Sequence, residues 1–165
     1  MTYSTRRARD DDVDFLWVAL YHASHAEELG IRDPTALRAR PELARYVDGW
    51  DRRAGDLGVV VVDNDTAAPV GAAWLRLLTG DATGYGYVDD DTPELAIAVL
   101  PTHRGRRLGT RLLGDLLDAA RGSFDAVSLS VRADNPARHL YERTGFRPVA
   151  STGADSTSIT MRLPL

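Results

Sequence analysis

The sequence predicts a mixed α/β (α+β) domain. One central twisted sheet of six to seven strands, mixed but mostly antiparallel, would be flanked by about four helices. Three observations carry this. Apolar patterning switches between period two and period 3.6 in the order β-α-α-β-β-β-α-β-α-β-β. The second and third strands are joined by a short turn-rich connection, which makes them antiparallel. Further on, strand, glycine-rich turn, helix and strand follow one another, a crossover expected to be parallel and right-handed. At 165 residues the chain suits a single domain, 1–165.

Residues 3–8 read as a short first strand, with Tyr3 and Thr5 favouring extended backbone. Asp10, Asp11 and Asp12 precede an apolar helical pattern, where acid suits the N-terminal dipole, and predict a helix over about 11–28. Gly30 ends it. Asp33-Pro34 supplies an N-cap and a first-turn proline for a second helix, broken at Pro41 and continuing to about Ala54. Two strands follow, 58–63 and 70–78, then a glycine- and acid-rich loop, 79–92. A strand at 94–99 leads into a helix over about 107–121, with Leu108, Leu112, Leu113, Leu116, Leu117 and Ala120 on one face. Strand 126–131, a short helix from Asn135-Pro136 to Arg143, and strands 146–149 and 158–163 complete the chain.

Composition narrows the function classes. A net charge of -4 argues against a broad basic face for nucleic acid. With no cysteine, disulfides, thiolate metal sites and a cysteine nucleophile are excluded. No apolar run approaches a membrane span, and the first residues lack the apolar core of a signal peptide. A soluble cytoplasmic protein is the expectation. His22 and His25 are three apart with no third ligand at a diagnostic spacing, so no metal site is expected.

Against this acidic background the segment 104–111 carries four arginines, Arg104, Arg106, Arg107 and Arg111, around Gly105 and Gly109. A basic glycine turn between a strand and a helix start is suited to phosphate. First-turn N–H groups have no intrahelical partners, and glycine lets a ligand approach the backbone. The Lys-Ser/Thr of a nucleotide-binding P-loop is absent, since Thr110-Arg111 follows Gly109.

Two stretches resemble the GCN5-related N-acetyltransferases (GNAT): AVLPTHRGRRLGTRLL, similar to that family's acetyl-CoA turn, and DNPARHLYERTGF, similar to its asparagine-to-Leu-Tyr-Glu-Arg-x-Gly-Phe segment. Arg107 stands at a position that is often glycine in the family. The resemblance implies a V-shaped splay between the fourth and fifth strands and acetyl-CoA as acyl donor. Backbone N–H groups of Arg104, Gly105, Arg106, Arg107, Leu108, Gly109 and Thr110 would hold its pyrophosphate. Ile97, Ala98 and Val99 would bond the pantetheine arm like an added strand, and Asn135 would contact it from the opposite side. A homodimer is frequent on this fold.

Acetyl transfer to an amine needs a base for the ammonium, a donor for the carbonyl oxygen and an acid for the leaving thiolate. Glu94, at the mouth of the strand before the turn, is the candidate base, acting through a water, and Tyr141 the candidate acid. A backbone N–H within 97–99 would meet the oxygen. With no cysteine, direct attack in a ternary complex is expected. The acceptor is read as a primary amine of a small molecule or peptide, with Tyr21, His25, Trp50, Trp74 and Tyr85 as candidate wall residues. Asp89, Asp90 and Asp91 read either as a solvated loop that needs no function or as carboxylates that would draw a cationic amine toward Glu94, where Tyr85 and Tyr87 would add cation–π contact. The alternative is a non-catalytic acyl-CoA-binding regulatory module on the same fold.

Overall fold

The computed structural model describes residues 1–149 and 157–165. Seven strands form one sheet: β1 (Tyr3–Arg7), β2 (Leu57–Asp63), β3 (Ala68–Arg76), β4 (Glu94–Val99), β5 (Ala126–Arg132), β6 (Arg147–Pro148) and β7 (Ser158–Pro164). Their spatial order is β1-β2-β3-β4-β5-β7-β6. Every adjacent pair is antiparallel except β4 and β5, which are parallel and register at one point, Glu94 opposite Ser128. The predicted splay is therefore present.

Helix α1 (Val13–Ala23) and the one-turn α2 (Pro41–Ala44) lie on one face of the sheet, α3 (Leu108–Ala120) and α4 (Ala137–Thr144) on the other. Strand alternation divides the side chains between two cores. Leu95, Val127, Leu129 and Val131 point to the α3 side, where all six predicted apolar positions of α3 are buried. Val60, Ala72 and Trp74 point to the α1 side with Leu16, Leu20 and Val47.

Two helices differ from expectation. The first stops at Ala23, because His25 takes a left-handed conformation (φ 53°) before a 3-10 turn at Ala26–Leu29. The second, expected from 33 to about 54, is a 3-10 run, Pro34–Ala39, then the single turn of α2. Pro41 lacks an N–H and holds Arg40 extended (φ -114°, ψ 92°), so the helical ladder cannot cross it. Asp33 does cap as expected, accepting from the Thr35 N–H at 2.9 Å.

Tertiary contacts hold this irregular stretch. The Arg76 guanidinium on β3 is fully buried and meets Asp56 in a two-pronged pair, Nε–Oδ1 3.0 Å and NH2–Oδ2 2.8 Å. Its remaining nitrogen donates to the carbonyls of Arg45 and Asp48, at 3.1 and 2.5 Å. One side chain thus satisfies backbone oxygens that helix 45–54 would have bonded internally. Asp56→Ala leaves that buried charge without its carboxylate. It should destabilise the fold by about 3–5 kcal/mol, read as a lower urea midpoint with little change in slope.

Candidate active site

Where β4 and β5 part, a cleft of about 660 Å³ opens between them. Its floor is the half-exposed stretch 96–99 of β4, bonded to β3 on one side and, among the described residues, paired with no strand on the other. Leu129, Ser130 and Val131 of β5 form the opposite wall, and the end of α1, with His22 and His25, lies over one side.

At the C-terminal end of β4 a short 3-10 turn, Pro101–His103, passes into the arginine-glycine segment and then α3. Gly105 is left-handed (φ 75°), and a methyl there would meet nothing within 4 Å. Arg107, the N-cap of α3, also takes a left-handed conformation (φ 60°), and among the described residues no side chain caps the helix. The first-turn N–H groups of α3 are thus left to an outside acceptor. Arg104 lines the cleft and donates from Nε to the Val99 carbonyl at 3.2 Å. Burial, and then the charge of Arg104, hold the His22 imidazole below its usual pKa.

At the other end of β4, Glu94 is 3% exposed and does not line the cleft. The segment 84–86 covers it. Glu94 Oε1 accepts from the Gly86 N–H at 2.6 Å and from the Tyr46 hydroxyl at 3.1 Å. The Tyr46 oxygen in turn accepts from the Tyr85 N–H at 2.9 Å. Glu94 Oε2 lies against Gly84, outside hydrogen-bond geometry with any described residue. The Ser128 hydroxyl opposite is likewise without a described partner. Both glycines are required by space. A Cβ at 84 would stand 2.0 Å from Glu94 Oε2, and one at 86 would stand 2.6 Å from the Leu129 carbonyl carbon. Burial raises the Glu94 carboxyl above its ordinary pKa, against the lowering effect of the Gly86 and Tyr46 donors.

Tyr141 of α4 is 8% exposed and lines the cleft, its ring packed edge-on against Phe146 with centroids 5.9 Å apart. Burial pushes its hydroxyl up to about 12. Asn135 also lines the cleft: its Oδ1 accepts from the Ala137 N–H at 2.9 Å, and its amide nitrogen lies 3.4 Å from His25 Nε2. Beside it Arg132 pairs with Glu28, tying the turn after α1 to β5.

The model described as the acetyltransferase (GNAT) family matches residues 17–146. The chain belongs to that family. It is 48% identical over 127 residues to an uncharacterized protein of Mycobacterium leprae, covering 68% of this chain and 34% of that protein. It is 31% identical over 130 residues to the glucosamine 6-phosphate N-acetyltransferase of Trypanosoma brucei brucei, covering 76% and 82%. A shorter match, 50% over 54 residues, is to the N-alpha-acetyltransferase RimI of Mycobacterium tuberculosis, covering 32% and 33%. The chain thus spans about a third of the length of two of these relatives. Among solved structures, the ribosomal-protein-S18-alanine N-acetyltransferase of Escherichia coli superposes with a TM-score of 0.65 over 99% of this chain and 94% of that one. At 21% identity this likeness bears on the fold.

In this GNAT chain the cleft gathers Ile97, Ala98, Val99, Arg104, Asn135, Tyr141, His25 and Tyr85 from among the residues singled out in the sequence. Gly105, Arg106, Arg107 and Thr110 are exposed on the adjoining turn and Gly109 is half-buried there; the Leu108 side chain points into the core. Three candidate wall residues lie elsewhere. Trp74 is core, its indole N–H donating to the Tyr46 carbonyl at 2.9 Å. Trp50 is core too, donating to the Arg9 carbonyl at 3.2 Å beneath Arg76. Tyr21 is turned away from the cleft, its hydroxyl donating to the Ile31 carbonyl at 2.9 Å. The residue missed was Tyr46, which read as one more apolar position of a helix. The signal available was Gly84-Tyr85-Gly86, where two glycines bracket one aromatic in a segment that has to lie flat on a carboxylate.

Because the Glu94 pKa is raised on folding, the native state favours the protonated form. Ionised Glu94 costs stability at neutral pH, and the cost vanishes once pH falls below the ordinary carboxylate range. Glu94→Gln should therefore raise the melting temperature at pH 7 to 8, with the gain fading toward pH 4. Thermal unfolding across that range checks it.

Proposed function

We propose that the chain is an acetyl-CoA-dependent N-acetyltransferase that moves an acetyl group to a primary amine of a small molecule or peptide by direct attack in a ternary complex. The observation carrying this reading is one cleft with an anion-ready helix start at one end and a buried carboxylate network at the other, joined by an unpaired strand edge. Family membership and the activities for which its relatives are named support it.

The residues present fit the donor. Gly105 and the first turn of α3 offer open backbone N–H groups, with Arg104, Arg106 and Arg107 around them, as a pyrophosphate requires. The edge at 96–99 offers backbone bonds to an extended amide-bearing arm, as an added strand would take them. Bound there, the donor supplies an acyl thioester. A backbone N–H of 97–99 would meet the carbonyl oxygen as its charge develops. Tyr141, a neutral acid held in an apolar setting, gives its proton to the departing thiolate, whose conjugate acid has a pKa of about 8.5. Glu94 is the ultimate acceptor for the amine proton, a task its raised pKa suits.

Thiol release from acetyl-CoA, measured against polyamines, aminoglycosides, amino acids and peptides with free N-termini, tests the reaction and finds the acceptor. No release with any class, with CoA binding intact, would favour a regulatory acyl-CoA module instead. Gly109→Asp places a carboxylate in the first turn of α3, where a Cβ meets only Leu140 at 3.8 Å. It should abolish CoA binding by calorimetry while leaving the melting temperature close to wild type; unchanged affinity would remove the pyrophosphate assignment. Tyr141→Phe should lower kcat about 10²-fold or more with little effect on CoA affinity. Equal losses in both would mean a packing role beside Phe146.

A further inference from the structure

Glu94 cannot touch an acceptor in the cleft as the structure stands. Its carboxyl lies beneath Gly84 and Gly86 and lines no part of the cleft surface. Tyr46, on the chain just after α2, does line the cleft, and its hydroxyl donates to Glu94 Oε1. The phenol oxygen has two lone pairs. One accepts from the Tyr85 N–H, and no described residue donates to the other.

The geometry points to Tyr46 as the proton relay between the acceptor amine and Glu94. This rests on the reading of Glu94 as base and says how that base is reached. As the ammonium N–H bond breaks, its proton passes to the Tyr46 oxygen. The Tyr46 O–H proton passes in the same motion to Glu94 Oε1. The amine is left neutral with its lone pair for attack, Tyr46 ends as a neutral phenol, and the carboxylate ends as a carboxylic acid that returns its proton to solvent by the reverse path. No charge comes to rest on the phenol, which matters because burial, and then the Glu94 charge, make its free ionisation strongly unfavourable.

The surroundings are arranged for this one path. Gly86 N–H fills the second position on Oε1 and fixes the carboxyl plane. Gly84 and Gly86 let the segment 84–86 press against the carboxyl and against the β5 backbone, sealing it from the cleft on that side. Among the described residues the other groups facing Glu94 are few: Arg45, just after α2, which donates to the Thr83 carbonyl at 2.5 Å; Ser128 from β5; and Arg76, its register partner on β3, committed to Asp56.

The test compares wild type with Tyr46→Phe, Glu94→Gln and the double variant, using whichever amine of the panel supports thiol release, alongside CoA affinity and melting temperature. Each single variant should lose about 10²-fold or more in kcat with CoA affinity unchanged. The double variant should lose no more than the worse single, because both act in one step. Replacing the acceptor by a weakly basic amine, neutral at the assay pH, should shrink the Tyr46→Phe loss, which a packing defect would not do. Loss in Glu94→Gln with near-normal turnover in Tyr46→Phe would overturn the relay while leaving Glu94 as the base. Near-normal turnover in Glu94→Gln would instead overturn the base reading itself. An NMR titration of the Glu94 carboxyl needs no acceptor: it should move to higher pH in Tyr46→Phe, and an unmoved titration would overturn the relay whatever the amine.

Discussion

The whole arrangement depends on a parallel pair of strands that meet once. β4 and β5 share the register of Glu94 with Ser128 and then diverge. Backbone groups inside a fold are normally paired, so an unpaired edge in the middle of a seven-stranded sheet is costly unless something else bonds it. The flanking layers keep the gap from closing. The end of α1 lies over one side, with the Arg132–Glu28 pair tying it to β5, while α4 holds Tyr141 within the cleft. An extended ligand that added itself to β4 would complete the sheet, which is why the proposed donor site lies along this edge.

The two ends of the cleft are electrostatically opposed. At the α3 end the chain concentrates arginines and uncapped N–H groups. At the Glu94 end it buries a carboxylate and gives one of its oxygens two neutral donors, leaving it basic rather than fully stabilised. The buried pair of Arg76 and Asp56 anchors the chain on either side of Tyr46 by bonding the Arg45 and Asp48 carbonyls. Its strength is thereby passed to the placement of one hydroxyl.

Much of this was legible in the sequence because it follows local periodicity. The leucine face of α3, the strand at 94–99 and the glycine turn between them came from patterns a few residues long. Sequence reading failed where a side chain's direction is settled by distant partners. Trp50 and Trp74 are candidate wall residues in the sequence, yet each indole N–H finds a backbone carbonyl inside the core. From 33 to about 54 the capping and apolar spacing predict a helix. Pro41 and the Arg76 guanidinium, coming from a strand that follows later in the chain, set its real course. Arg107 lay between these cases. Standing where glycine is frequent, it adopts the left-handed conformation that glycine would favour.

The central claim is that the unpaired edge of β4 and the start of α3 together receive one extended, phosphate-bearing thioester. Amide hydrogen exchange with and without acetyl-CoA addresses it directly. The account predicts new protection in two places, at the amides of 96–99 not already bonded to β3 and at those of 105–110. Binding that protects neither, or that protects the helix start while the β4 edge goes on exchanging as before, would contradict it.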